Sequence, residues 1–190
     1  MKILAPLLAL FLTSIASYAA QVAIFSIEVP GEKKPKEVLI QLAPESAPNT
    51  VANFVKLAKK KFYKGQAFHR AIPGRLVQIG DPLSRKKKPN LPLGTTGPGY
   101  VVPAEINLKN DLGAVGMGRL PNKINPNKAS NGSQFYVCLA PAPTLNGEYT
   151  VFGKVISGLD VLETISRGET DSNGTPLQRS TIRSIKIVQQ

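Results

Sequence analysis

The segment FHRAIPGRLVQIGD, residues 68–81, sets two short apolar runs, FHRAI and RLVQIG, on either side of Pro73-Gly74. Proline presets one turn residue near φ −65° and glycine accepts the left-handed region, so the runs should fold back on each other as antiparallel strands. Side chains alternate along a strand, which places Leu76 and Gln78 on one face. The same alternation sends His69, the single histidine of the chain, and its neighbour Arg70 to opposite sides. The hairpin is either scaffold alone or the place where an arginine and a glutamine are presented for chemistry.

The pattern repeats outward from this hairpin. QVAIFSIEV and EVLIQL are strand-like runs joined by PGEKKPK. Pro48 and Asn49 open a helix on which Val51, Phe54, Val55 and Ala58 recur at helical spacing, with Gly65 as the stop. GAVGMG, SQFYVCLA and EYTVFGKVI read as further strands, and LPNKINPNKASNG as a long polar loop. Leu159, Leu162 and Ile165 mark a second helix, capped by Ser157 or Asp160, and TIRSIKIVQ closes the chain as a strand. Short strands without strand–helix alternation exclude a doubly wound sheet and predict a mainly β fold, a closed antiparallel barrel with helices over its ends. Gly113, Gly116, Gly118 and Gly153 suit the tight bends of a small barrel. With 190 residues and no candidate linker, one domain over 21–190 is expected.

Lys2, the apolar run ILAPLLALFLTSI and the small residues Ser17 and Ala19 form a signal-peptide pattern over residues 1–19, with cleavage after Ala19 or Ala20. The apolar run falls short of the ~20 residues of a membrane span, so no transmembrane anchor is expected. The mature protein is read as exported, and as periplasmic in a bacterium with an outer membrane.

One cysteine excludes an internal disulfide, and Cys138 in FYVCLA reads as a buried, inert thiol. One histidine and one cysteine argue against a zinc site, and no metal or cofactor is expected. The formal net charge is +12, with basic clusters in KLAKKK (56–61) and SRKKKPNLP (84–92). Neither cluster has interleaved aromatics, so nucleic acid is not expected as a partner. GTTGPG lacks the lysine and helix of a phosphate cradle, and Ser133 in NGSQF lacks the flanks of a nucleophile elbow.

FHRAIPG…VQIGD (68–81), GPGY (97–100), NGSQFYV (131–137) and YTVFGKVISGLDVLETI (149–165) occur in one order along the chain. In that order they resemble the cyclophilin-type peptidyl-prolyl cis–trans isomerases, over roughly residues 22–188. The resemblance implies an eight-stranded antiparallel barrel capped by two α-helices, with the active groove on its outside. It implies that Arg70 is the catalytic arginine, that Gln78 binds substrate backbone and that Gln134 is a second groove glutamine. Leu76, Tyr136 and Leu145 match positions lining the proline pocket, and Tyr149 stands where many relatives have histidine.

The chain departs from the family at several of these positions. Arg75 replaces a phenylalanine at the pocket floor, and either covers the proline with its aliphatic stem or weakens proline binding. Tyr136 replaces another phenylalanine. Thr144 stands in place of a tryptophan, which implies weak affinity for cyclosporin. Gly118 and Arg119 replace a small residue and a backbone-binding asparagine.

The implied activity is isomerisation of X-Pro bonds in exported proteins, with proline-containing polypeptides as partners and a monomer as the working form. The alternative is a proline-peptide-binding chaperone module of low activity on the same fold. Arg75, Arg119 and the SRKKK loop either surround one groove, where they select acidic clients or hold the protein at an anionic surface, or are unrelated solvated charges.

Overall fold

The computed structural model describes residues 21–88 and 91–189. The signal-peptide reading of residues 1–19 falls outside the described residues. The elements are β1 (Gln21–Glu28), β2 (Lys36–Leu42), α1 (Pro48–Lys59), β3 (Arg70–Ile72), β4 (Leu76–Ile79), β5 (Ala114–Met117), β6 (Phe135–Cys138), β7 (Val151–Ser157), α2 (Leu159–Ser166) and β8 (Thr181–Gln189).

All eight strands belong to one antiparallel sheet in the order β3-β4-β6-β5-β7-β2-β1-β8. Register shifts at Ser26/Ile27, Leu39/Ile40 and Val115/Gly116 bend the strands and curl the sheet. The curl does not close into the expected continuous barrel: β3 and β8 remain the ends of the ladder. The three residues of β3 are too few to pair along the nine of β8. Instead, the chain just before β3 meets β8 through the single bridge Ala67↔Thr181, with Gly65 N–H donating to Ile182 O and Ile182 N–H to Gln66 O. The result is an open half-barrel.

Period-two alternation divides the sheet into two faces. Phe25, Ile27, Val38, Ile40, Val77, Ile79, Val115, Phe135 and Val137 point inward and form the main core. Phe54 of α1 closes the open side, with ring centroids 5.3 Å from Phe152 and 5.8 Å from Phe135. The outward set, Ala114, Tyr136, Cys138 and Val151, forms a second, smaller cluster against which Leu76, Leu145 and Tyr149 pack.

Both helix ends differ from the sequence reading. α1 stops at Lys59, not at Gly65. Phe62 N–H donates to Leu57 O and Lys61 N–H to Ala58 O, a Schellman termination with Lys61 in the left-handed region at φ 57°. α2 is preceded by Gly158 at φ 82°, not capped by Ser157 or Asp160. A Cβ there would lie 2.4 Å from Glu37 O, so the close approach of this turn to β2 selects glycine over a capping side chain.

Candidate active site

The hairpin around Pro73-Gly74 forms as read, and its register pairs Arg70 with Gln78 and Ile72 with Leu76. Directly opposed residues share a face, so guanidinium and amide stand side by side on the outside of the sheet. Arg70 is exposed, and the four ion pairs among the described residues engage other cations. Ala71 N–H donates to Gly174 O at 2.8 Å, which holds the outer edge of β3 in place.

Gln78 is fixed from below. Its Nε2 donates to Gln134 Oε1 at 3.0 Å, and Gln134 Nε2 donates to Thr96 O at 2.7 Å. Thr96 is in turn held by the buried carboxylate of Asp81, to which its N–H and hydroxyl both donate. Asp81 also accepts from Gly94 N–H at 2.7 Å and from Leu83 N–H at 2.8 Å. Gln134, expected as a second groove glutamine, is 2% exposed and is not among the residues on the cleft wall. Gly118 leaves room for this pair, since a Cβ would stand 3.4 Å from Gln78 Nε2 and 3.3 Å from Gln134 Cβ.

Next to these amides lies an apolar pocket. Tyr136 and Tyr149 meet edge to face at 5.7 Å, with Leu76 and Leu145 packed beside them. The ring of Tyr136 lies across Gly116, its partner on β5, where a Cβ would be 2.4 Å from Cζ and Oη. Its hydroxyl donates to Asn110 Oδ1 at 2.7 Å, and burial pushes its pKa far up, so it stays neutral. Arg119 stacks 4.7 Å from the Tyr149 ring centroid. Each of its nitrogens donates once: Nε to Glu148 O at 2.7 Å, Nη1 to Leu120 O at 2.8 Å and Nη2 to Glu148 Oε2 at 2.8 Å. Lys128 reaches Glu148 Oε1 at 2.8 Å, so this one carboxylate ties the 120–130 loop to the pocket wall.

Arg70, Leu76, Gln78, Gly118, Arg119, Tyr136, Leu145 and Tyr149 line a single cleft of about 1100 Å³. Arg75 is exposed in the turn and is not on its wall, and Thr144 presents no aromatic surface. Beyond Arg70 the cleft continues past Lys86, Lys87, Lys88 and Arg179.

His69 reaches the cleft wall yet is only 4% exposed, with Gly94 above its ring. Neither ring nitrogen has a partner among the described residues, and burial, opposed by the Asp81 charge, lowers its pKa to about 4. It is a neutral packing group beside the arginine. Cys138 is buried, and desolvation raises its thiol pKa to about 11, which leaves it without thiolate character at neutral pH. No group of His, Cys, Asp and Glu among the described residues could hold a metal ion.

Sequence reasoning missed Asp81, Thr96, Asn110 and Glu148. Each acts through a contact between segments that the chain keeps well apart, which no local pattern signals.

A family model described as cyclophilin type peptidyl-prolyl cis-trans isomerase/CLD matches residues 25–187. Peptidyl-prolyl cis-trans isomerase B of Bacillus subtilis is 41% identical over 136 residues, 70% of this chain and 85% of that protein. Peptidyl-prolyl cis-trans isomerase ppi1 of Schizosaccharomyces pombe is 39% identical over 142 residues, 75% of this chain and 86% of that protein. A crystal structure of a Cryptosporidium parvum cyclophilin type isomerase superposes with a TM-score of 0.74 at 30% identity, covering 90% of this chain and 99% of that one. A second structure of that protein, in the presence of the dipeptide Ala-Pro, gives 0.73 at 29% identity, covering 89% and 99%. With the outward arginine, its neighbouring amide and the apolar pocket in one cleft, these matches place the chain in the cyclophilin-type peptidyl-prolyl cis–trans isomerase family, as an isomerase of X-Pro bonds.

Proposed function

We propose that Arg70 is the catalytic group of this isomerase and that its clients are proline-containing segments of exported proteins. The observation that carries the reading is the Arg70–Gln78 pair, an exposed guanidinium beside a braced amide at the edge of an apolar pocket. Rotation about an X-Pro bond is opposed by amide conjugation, with a barrier of ~18–20 kcal/mol. Twisting the bond ends that conjugation and localises a lone pair on the prolyl nitrogen. A guanidinium aimed at the nitrogen donates a hydrogen bond only to the twisted form, which stabilises the transition state over either planar state. Arginine stays protonated at any working pH and offers a fixed donor fork. Gln78 holds the substrate backbone, while Leu76, Tyr136, Leu145 and Tyr149 seat the proline ring. No proton is transferred, so no general base is needed.

The presequence pattern of residues 1–19 supports export, and the periplasm is the compartment in a cell with an outer membrane. There, uncatalysed isomerisation takes tens to hundreds of seconds and leaves incompletely folded clients exposed. The charge of +12 supports a preference for clients with acidic residues, and the protein works as a monomer. The alternative of a turnover-poor binding module needs Arg75 inside the proline pocket, and its position in the turn, off the cleft wall, favours the isomerase over that reading.

NMR exchange on short X-Pro peptides tests the assignment. Arg70→Ala should lower kcat/KM by about 10²–10³, the scale of losing one preorganised donor. Equal rates for the two proteins would overturn it.

A further inference from the structure

Building on the isomerase reading, we propose that Lys86, Lys87 and Lys88, backed by Arg179, form a one-sided anion subsite that recognises acidic residues on one flank of the client proline and not on the other. β3 ends the sheet, with β4 and β6 on one side of it and the 174–180 segment on the other, held by Ala71 N–H to Gly174 O and Phe68 N–H to Ser180 O. Arg179 of that segment and Lys86, Lys87 and Lys88 beside it line the same cleft as Arg70. The three lysines are exposed, and none enters an ion pair among the described residues. The base of their loop is fixed. Arg179 donates to Ser84 O at 2.7 Å and to Lys86 O at 3.3 Å, and Arg85 donates to Lys64 O at 3.2 Å while covering the Phe62 ring. Arg179 Nε is buried in the same region with no hydrogen-bond partner among the described residues.

One carboxylate, Asp171, stands on this part of the wall, and its Oδ1 is occupied by the N–H groups of Asn173 and Thr175. The other half of the cleft has no comparable field. Its arginine, Arg119, has a side chain only 5% exposed and is paired with Glu148, which it shares with Lys128. The charge asymmetry therefore runs along the path of a bound chain, and the flank lying toward Lys86–Lys88 meets cations that the other flank does not. A polypeptide is the favoured occupant because the cations sit inside a concave cleft continuous with Arg70 and Gln78. A flat anionic surface would not enter it.

The test is turnover of peptides with one proline and two acidic residues placed either before or after it, beside a neutral peptide, at low and high salt. Acidic residues on one flank should raise kcat/KM about three- to tenfold over the neutral peptide at low salt. The same residues on the other flank should leave it near the neutral value, and high salt should erase the difference. Lys86→Ala/Lys87→Ala/Lys88→Ala should bring the favoured ratio close to one. Lys56→Ala/Lys59→Ala/Lys60→Ala removes the same charge from the C-terminal end of α1 and the residue after it, and should retain the ratio.

Equal gains on both flanks, or equal losses in the two triple variants, would reduce the effect to overall charge and overturn the subsite. So would loss of binding to phosphatidylglycerol vesicles in the Lys86–Lys88 variant with an unchanged peptide ratio, which would make the loop a membrane contact. Absence of turnover for every peptide would instead overturn the isomerase reading on which the subsite rests.

Discussion

Gln78 Nε2 donates to Gln134 Oε1 at 3.0 Å, and this contact joins the outward layer of the cleft to a buried one. Through Gln134, Thr96 and Asp81, the position of the amide beside Arg70 depends on residues that are not on the cleft wall. Rigid placement of a polar group at an exposed site requires such backing, because a free glutamine side chain retains rotamer freedom that binding must remove.

Gln134→Ala should separate positioning from contact. The change leaves Thr96 O without its donor and should cost about 1–3 kcal/mol of stability in chemical denaturation. The Gln78 side-chain amide should shift in the NMR spectrum and kcat/KM should fall with it. An unchanged Gln78 resonance alongside reduced turnover would show that Gln134 does not act through Gln78.

Gly116→Ala tests how the apolar pocket proposed to hold proline is shaped. The new methyl would collide with the Tyr136 ring, whose Cζ and Oη lie 2.4 Å from its position. The ring must leave its seat against Asn110 and move toward the pocket. Overpacking of this kind costs about 1–3 kcal/mol, and KM for X-Pro peptides should rise. A variant with wild-type stability and KM would count against the assignment of this pocket to proline.

Glu105 provides the missing cap of α1. Its Oε1 accepts from Asn49 N–H and Nδ2, and its Oε2 from Thr50 N–H and hydroxyl, all within 3.0 Å. Burial pushes this carboxyl up, but the donated hydrogen bonds outweigh it and the net pKa lies below the ordinary carboxylate value. A depressed carboxylate stabilises the fold above its unfolded pKa, and that contribution is lost as pH falls through the folded value. Glu105→Ala should destabilise by about 1–3 kcal/mol at neutral pH, with a smaller difference in acid. Denaturant titrations at the two pH values check both statements.

His69 predicts a separate acid sensitivity. Its folded pKa of about 4 lies below the ordinary histidine value of 6.5, so between these values the unfolded chain binds a proton that the folded protein refuses. Stability should therefore be flat with respect to this group above pH 6.5 and decline as pH falls toward 4. Asp81 and Arg70 face the ring with opposing effects, and desolvation dominates both. His69→Leu should remove this part of the pH dependence of Tm. An identical profile for both proteins would show that the histidine is not buried in the folded state.

Residue order alone was enough for the strands, the two helices and the 68–81 hairpin, because alternation and helical spacing are local and each apolar face must be buried somewhere. The outward placement of Arg70, Leu76, Gln78 and Tyr136 follows from the same period of two. Gln134, one residue before β6, was legible as a candidate but not as a buried brace, since its burial depends on the 94–96 segment lying over it. Arg75 and Arg119 looked alike as basic replacements, yet one stands free in a turn while Glu148 neutralises the other. The half-barrel edge, the Glu105 cap of α1 and the convergence of Lys86–Lys88 with Arg179 were decided by tertiary structure. Each depends on which distant segments meet when the sheet curls, and sequence periodicity says which face a residue takes but not what lies against it.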